Sequence, residues 1–335
     1  MKIFHNPSHI QHEPLYEIFN GEQTPHNEVP ARVERISAAL ETAGYELEEA
    51  HTEIDRELLF HIHDSDYLEF LERRCNELTE TQHLYPSVFQ YHGGQPRSQN
   101  PVAQLGRFSF DLYTPLLKHT WSAALASARC AHAAAVSLHT GQRASYALCR
   151  PPGHHAASDQ MGGYCYLNNA AVAAEYLGQF GRVATLDVDF HHGNGTQQIF
   201  YRRADVFTTS IHADPNWKFP YFSGFENETG EGAGAGFNLN RSLSAGTTNQ
   251  QYQSTLEAVL AKISEYAPAH LVVSLGLDTH EADPIGGFAL TTEYFEQMAQ
   301  TILSLNLPTV IVQEGGYNTD LLGENVVSFL AGFSG

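Results

Sequence analysis

Arg182-Val183-Ala184-Thr185-Leu186-Asp187-Val188-Asp189-Phe190-His191-His192-Gly193-Asn194-Gly195 is the stretch from which the fold and the chemistry of this chain can both be read. Residues 183–186 form a short apolar run of the kind found in a strand buried on both faces. The strand is expected over 182–190. Successive side chains of a strand face opposite ways, so Asp187, Asp189 and His191 are expected on one face. Two carboxylates and an imidazole converging in a buried place are costly without a cation between them. A lone Asp at a strand end is commonly a helix cap. Asp-x-Asp-x-His-His has no such structural explanation and predicts a metal site. Gly193 and Gly195 then allow a tight exit into a helix that begins near Asn194.

Outward from this stretch, further apolar runs at 2–5, 145–150, 206–211, 271–277 and 309–312 alternate with helical patterns at 31–43, 121–139, 165–176 and 292–304. That alternation predicts an α/β chain with a mostly parallel sheet covered by helices. Pro30 opens the first of these helices and Gly44 closes it, while Gly141 stops the Ala-rich one. No repeat or low-complexity linker divides the chain, so one domain over residues 1–335 is expected. Residues 83–115 are different. They hold Gly93, Gly94, Pro96, Pro101 and several aromatics without a period, and a long aperiodic segment in a compact domain points to a functional or interface element.

Charge and composition narrow the function. Eighteen Lys and Arg face thirty-eight Asp and Glu, a formal net charge of −20. Such a surface repels nucleic acid and concentrates small cations near the protein. No apolar run is long enough for a membrane span, and the N-terminus lacks the pattern of a signal peptide. Cys75, Cys130, Cys149 and Cys165 are irregularly spaced, with neither a disulfide framework nor a CxxC pair. A reducing cytoplasm fits these features.

The remaining polar clusters follow the other strand candidates, where ligands bind in open parallel sheets. A hydrolytic zinc site commonly uses three protein ligands. The run 271–277 ends in Asp278, the natural third ligand beside Asp189 and His191. Arg150-Pro151-Pro152-Gly153-His154-His155 follows 145–150. Its Pro-Gly turn frees both imidazoles to reach one pocket, which makes them acid–base candidates, with Asp187 and Asn194 left over to orient them. Gln313-Glu314-Gly315-Gly316-Tyr317 ends the last strand and brings a phenol that could donate to a developing oxyanion.

Four motifs together, Arg-Pro-Pro-Gly-His-His at 150–155, Gly-Gly-Tyr-Cys-Tyr-Leu-Asn-Asn-Ala-Ala at 162–171, Leu-Asp-Val-Asp-Phe-His-His-Gly-Asn-Gly-Thr at 186–196 and Gln-Glu-Gly-Gly-Tyr at 313–317, resemble the histone deacetylase family over nearly the whole chain. Within it, Asn-Gly-Glu-Gln-Thr-Pro at 20–25, the segment 83–115 and Phe-His-His-Gly-Asn-Gly-Thr-Gln at 190–197 resemble bacterial acetylpolyamine amidohydrolases. The resemblance implies an arginase/deacetylase-like three-layer fold with a central eight-stranded sheet. It implies one catalytic zinc on Asp189, His191 and Asp278. A structural potassium is implied at Asp187, Asp189, His191, Ser210 and Ile211, partly through main-chain carbonyls.

The same resemblance makes His155 the general base and acid, and His154 its electrostatic partner, paired with Asp187. Asn194 stands where some members have Asp. Tyr317 matches the transition-state tyrosine, Arg32 the arginine behind the site, and Gly163, Tyr164, Phe219 and Ile285 positions along the acyl tunnel. The implied substrate is a small cationic acetylamide and the implied assembly a homodimer narrowed by the 83–115 segment.

Between Glu80 and Asp111 there is no acid to pair with a substrate ammonium, and the position after Asp283-Pro284 is Ile285. Selectivity is therefore expected to rest on shape, aromatics and overall potential, with acetyl-lysine peptides or another small acetylamide as the alternative substrate. A dimanganese ureohydrolase would need a second paired-carboxylate motif, and Asp278-Thr279-His280 has one carboxylate. A silent acetyl-binding module would have no use for His154, His155 and Tyr317.

Overall fold

The computed structural model describes residues 1–91 and 98–333. Among the described residues, ten strands run in chain order: β1 (Lys2–His5), β2 (Tyr16–Phe19), β3 (Glu22–Pro25), β4 (Leu47–Glu49), β5 (Ala144–Ala147), β6 (Val183–Asp187), β7 (Val206–Ala213), β8 (Asn238–Leu243), β9 (His270–Leu275) and β10 (Thr309–Gln313). Eight of them form one sheet in the order β4-β1-β5-β10-β9-β6-β7-β8, with every neighbouring pair parallel. β2 and β3 make a separate antiparallel hairpin.

Period-two alternation builds the three layers. In β10, Val310 and Val312 pack into one apolar cluster and Ile311 into the other; in β6, Val183 faces one side while Ala184 and Leu186 face the opposite side. The first cluster is closed by helices Ser65–Glu77, Thr120–His139 and Asn169–Gly178, the second by Ala31–Thr42, Asn249–Tyr266, Thr292–Leu303 and Leu322–Ala331. Covering both faces excludes water from the sheet, which is why its strands read as continuous apolar runs. Each large aliphatic side chain so buried contributes about 1.5–3 kcal/mol.

Several expectations shift. The strand expected over 182–190 ends at Asp187, so Asp189 and His191 lie beyond it. Alternation therefore does not bring them together. Side chains do: Asp187 Oδ1 accepts the Asp189 N–H at 3.0 Å, and Asp189 Oδ1 accepts the His191 N–H at 2.8 Å, two successive turns locked by carboxylates. The helix expected from 165 begins at Asn169, because the Asn168 side chain caps it by accepting the Ala171 N–H at 2.9 Å. The aperiodic segment 83–115 contains a helix, Pro101–Arg107, started by the Asn100 cap and by proline at its first position. Leu84 and Leu116 exchange backbone hydrogen bonds at its base. Residues 92–97 of that segment, with Gly93, Gly94 and Pro96, lie outside the described residues. Among the described residues, no helix is long and apolar enough to cross a membrane.

The polar clusters follow β5, β10, β9 and β6, four strands that are adjacent in the sheet. Their carboxyl ends share one edge, and the site forms along it.

Candidate active site

Ligand atoms of Asp189, His191 and Asp278 lie within 4.8 Å of one another, and all three residues are buried. His191 Nδ1 is 2.9 Å from Asp278 Oδ2 and 3.4 Å from Asp189 Oδ1. Burial and the neighbouring Asp189 push the Asp278 carboxyl up to about 7, with His191 acting against them. The backbone is fitted closely around them. A Cβ on Gly276 would stand 2.0 Å from Asp189 Oδ2, and one on Gly315 would stand 2.5 Å from Asp189 Oδ2 and 2.6 Å from Asp278 Oδ2. Gly315 also donates its N–H to Asp189 Oδ2 at 2.8 Å. Two carboxylates and one imidazole held this way fit a single divalent cation such as zinc.

The tandem histidines sit behind and beside this triad, with ring centroids 4.0 Å apart. His154 Nδ1 meets Asp187 Oδ2 at 2.9 Å. Burial alone would push that imidazole down, but Asp189 and Asp187 outweigh it and hold it at about 10. His155 Nδ1 meets Asn194 Oδ1 at 2.6 Å, and burial together with the His154 charge pushes His155 well down. The two adjacent imidazoles are thus pushed in opposite directions. β6 pairs with β7 so that Asp187 stands opposite Ser210, next to the fully buried Ile211.

Tyr317 reaches the same place from β10. Asp283 Oδ2 accepts the Tyr317 N–H at 2.7 Å and the Asn318 N–H at 3.2 Å. The Arg32 guanidinium lies 4.7 Å from the centre of the Tyr317 ring and donates to the Gly316 carbonyl at 2.7 Å. Burial pushes the phenol well up, so it stays a donor.

A cavity of about 390 Å³ opens onto His155, His191 and Tyr317. Gly163, Tyr164, Phe219 and Ile285 all line it. The Phe219 ring stands edge-on to His155 at 5.0 Å and stacks with Phe110 at 6.0 Å. The end of the 83–115 segment therefore builds part of the wall: Asp111 Oδ2 accepts the Gly163 N–H, and Thr114 Oγ1 accepts the Tyr164 N–H.

Sequence reasoning missed three residues here. Glu17, on β2, lines the cavity, with Oε2 accepting from the Tyr164 hydroxyl at 2.7 Å and Oε1 from Asn27 Nδ2 at 3.3 Å. It lies outside the 80–111 stretch in which no acid was expected, and adds a carboxyl to the cavity wall. The alternation Tyr16-Glu17-Ile18-Phe19 before Asn20-Gly21 marks a hairpin strand, but not where that hairpin lies. Glu314 is the second. Its Oε2 accepts the N–H groups of Gly153 at 2.6 Å and His154 at 3.1 Å, tying the histidine turn to β10. It also forms, with His154 and Cys165, a second buried group of metal-ligand types. There Glu314 is already engaged by backbone, and burial holds the Cys165 thiol far above its ordinary value, so the group is a joint of the fold. Lys218 is the third and lines the same cavity.

A sequence profile of the histone deacetylase domain matches residues 26–333. The chain belongs to the histone deacetylase family. Membership makes it an enzyme of the deacetylase, or amidohydrolase, class. It is 41% identical to acetylpolyamine amidohydrolase 1 of Pseudomonas aeruginosa over 100% of this chain and 99% of that protein. It is 39% identical to the acetylpolyamine amidohydrolase of Mycoplana ramosa, with both chains fully covered. The crystal structure of an acetylpolyamine aminohydrolase from Burkholderia pseudomallei superposes with a TM-score of 0.94 at 39% identity, covering 100% of this chain and 98% of that one. The eight-stranded parallel sheet is that of this deacetylase, arginase-like fold.

Proposed function

We propose that this deacetylase hydrolyses acetylated polyamines to the free amine and acetate, with one zinc on Asp189, His191 and Asp278. The observation that carries the substrate is Glu17, a carboxylate 6% exposed in the wall of a narrow, aromatic-lined cavity that ends at His155 and Tyr317. Burial pushes its carboxyl up, against the Tyr164 hydrogen bond. An arriving ammonium would relieve that cost, whereas a neutral acetyl-lysine within a peptide would not. The names of the full-length relatives point the same way.

Zinc, when bound, supplies a Lewis acid for the acetyl carbonyl and lowers the pKa of water. The protein's own groups supply the rest. With Nδ1 held by Asn194, Nε2 of His155 is the nitrogen that takes the proton of the attacking water and returns it to the leaving amine. His154, charged by Asp187 and Asp189, keeps its neighbour neutral and adds positive potential. The Tyr317 hydroxyl donates to the oxygen as it gains charge. A structural potassium at Asp187, Asp189, His191, Ser210 and Ile211 completes the reading, supported by the β6–β7 register that sets Ser210 opposite Asp187.

The whole chain serves this one activity as a single domain, and the 83–115 segment mediates a homodimer. Val88, Phe89, Tyr91 and Val102 expose between 45% and 77% of their surface there, more apolar area than a solvated segment needs. Tyr91→Glu with Val102→Glu should give monomers in light scattering; an unchanged mass would place the interface elsewhere.

The deciding experiment compares acetate release from N-acetylputrescine, N8-acetylspermidine and an acetyl-lysine peptide. Preference for the polyamines, lost in Glu17→Gln, is the expected result. Preference for the peptide would make the protein a lysine deacetylase.

A further inference from the structure

The chain has four lysines, Lys2, Lys118, Lys218 and Lys262. Three of them sit on the surface, paired with a glutamate: Lys2 with Glu48 at 2.9 Å, Lys118 with Glu80 at 2.9 Å and Lys262 with Glu265 at 2.8 Å. Lys218 alone does not. It lines the catalytic cavity and meets no carboxylate within 4.0 Å among the described residues. In a chain with twenty more acids than bases, a half-buried lysine in the wall of the site with no carboxylate at ion-pair distance is unexpected.

Its place in the cavity is well defined. The backbone at Trp217 and Lys218 is held by a turn on the Asp214 carbonyl, at 3.1 and 3.2 Å. The ammonium lies 5.3 Å from the centre of the fully buried Phe190 ring, and its neighbour Phe219 is the wall facing His155. Glu17 belongs to a different wall, fixed to Tyr164 and Asn27. The two opposite charges line one cavity without pairing with each other. Burial pushes the Lys218 amine down, with Asp278 and Asp283 acting against that, so an incoming anion would offset a desolvation cost that no described carboxylate meets at ion-pair distance.

A polycation finds Glu17 favourable and Lys218 repulsive. An acetyl-lysine inside a peptide offers neither charge. A ligand whose far end bears both an ammonium and a carboxylate satisfies both walls. We propose that the cavity also takes free ω-acetylated diamino acids, with Lys218 receiving the carboxylate and Glu17 the ammonium. The reading rests on the amidohydrolase activity, and the reaction is the same. Water's oxygen bonds to the acetyl carbon, the C–N bond breaks, and the proton goes to the ω-nitrogen, giving acetate and the free diamino acid.

Three matched substrates test it: Nε-acetyl-L-lysine, N-acetylcadaverine, which is the same molecule without the carboxylate, and 6-acetamidohexanoate, which lacks the ammonium. Wild-type, Lys218→Gln and Lys218→Arg proteins are compared, with kcat and KM separated. Lys218→Gln should lower kcat/KM for Nε-acetyl-L-lysine and 6-acetamidohexanoate tenfold or more, through KM, and raise it for N-acetylcadaverine. Lys218→Arg should keep the wild-type order. Turnover of N-acetylcadaverine without Nε-acetyl-L-lysine would overturn the proposal and leave the polyamine reading standing. So would a Lys218→Gln effect of the same sign on all three. Failure of every acetylamide, N-acetylcadaverine included, would remove both.

Discussion

Asn194 holds His155 through a 2.6 Å contact between its side-chain oxygen and Nδ1, where a carboxylate holds the adjacent His154. A neutral partner orients the imidazole and favours its charged form less than a carboxylate would, and burial with the His154 charge outweighs it, so His155 stays free to accept a proton near neutral pH. Asn194→Asp should raise the His155 pKa by about one unit or more. A base must be unprotonated to work, so the acidic limb of kcat/KM should move to higher pH and activity at neutral pH should fall. A pH profile with an unmoved acidic limb would rule out His155 as the base.

In the proposed mechanism the Tyr317 hydroxyl meets charge that exists only after water has attacked. Tyr317→Phe keeps the ring beneath Arg32 and removes only the donor. It should lower kcat by a factor of about 10²–10³, or about 2.7–4 kcal/mol, with KM nearly unchanged. Steady-state kinetics with one acetylamide decides it. An equal loss in KM would mean that the phenol binds substrate in its ground state.

Asp189 and Asp278 pack against the backbone of Gly276 and Gly315, and His191 Nδ1 lies within 3.4 Å of both carboxylates. A metal that binds only the folded chain should therefore add stability, about 4 kcal/mol at a thousandfold excess over Kd. Zinc added to chelator-treated protein should raise Tm, and Asp278→Asn should abolish the rise and reduce bound metal measured by elemental analysis. A rise of the same size in Asp278→Asn would place the zinc elsewhere.

The legible parts of this chain were those whose signal is local. β6, β9 and β10 are continuous apolar runs ending in polar clusters, and in an open parallel sheet clusters at the carboxyl ends of the strands share one edge. The convergence of Asp189 and His191 came out by a different route, through carboxylate-locked turns rather than strand alternation. What stayed hidden depends on contacts distant in sequence. Glu17 enters the cavity because Tyr164, far along the chain, holds it. β8, Asn238-Leu239-Asn240-Arg241-Ser242-Leu243, is an edge strand with polar residues facing a side-chain network, so its composition resembles a loop. Glu314 and Lys218 are single residues whose roles are set entirely by what surrounds them.

Glu28 joins the two halves of the catalytic edge. Its Oε1 accepts from Arg32 Nη1 at 3.0 Å and from Arg150 Nε at 2.7 Å. Arg32 then holds the carbonyls of Glu314 and Gly316 before Tyr317, while Arg150 begins the histidine turn and holds the carbonyls of His9 and His12. Burial pushes the Glu28 carboxyl up, but Arg150 and Arg32 outweigh it and hold the group at about 2, against 4.5 for the free side chain. A depressed carboxyl stabilises the fold fully above its unfolded pKa and loses that contribution as pH falls through its folded one. The contribution here is about 3 kcal/mol, present above pH 4.5 and fading toward pH 2. Glu28→Gln leaves two guanidiniums buried without their anion and should cost about 3–5 kcal/mol at pH 7 by denaturant unfolding. The gap between variant and wild type should narrow as unfolding is repeated at pH 4 and pH 3. A gap that stays constant over that range would mean the carboxylate's charge is not what holds the two arginines.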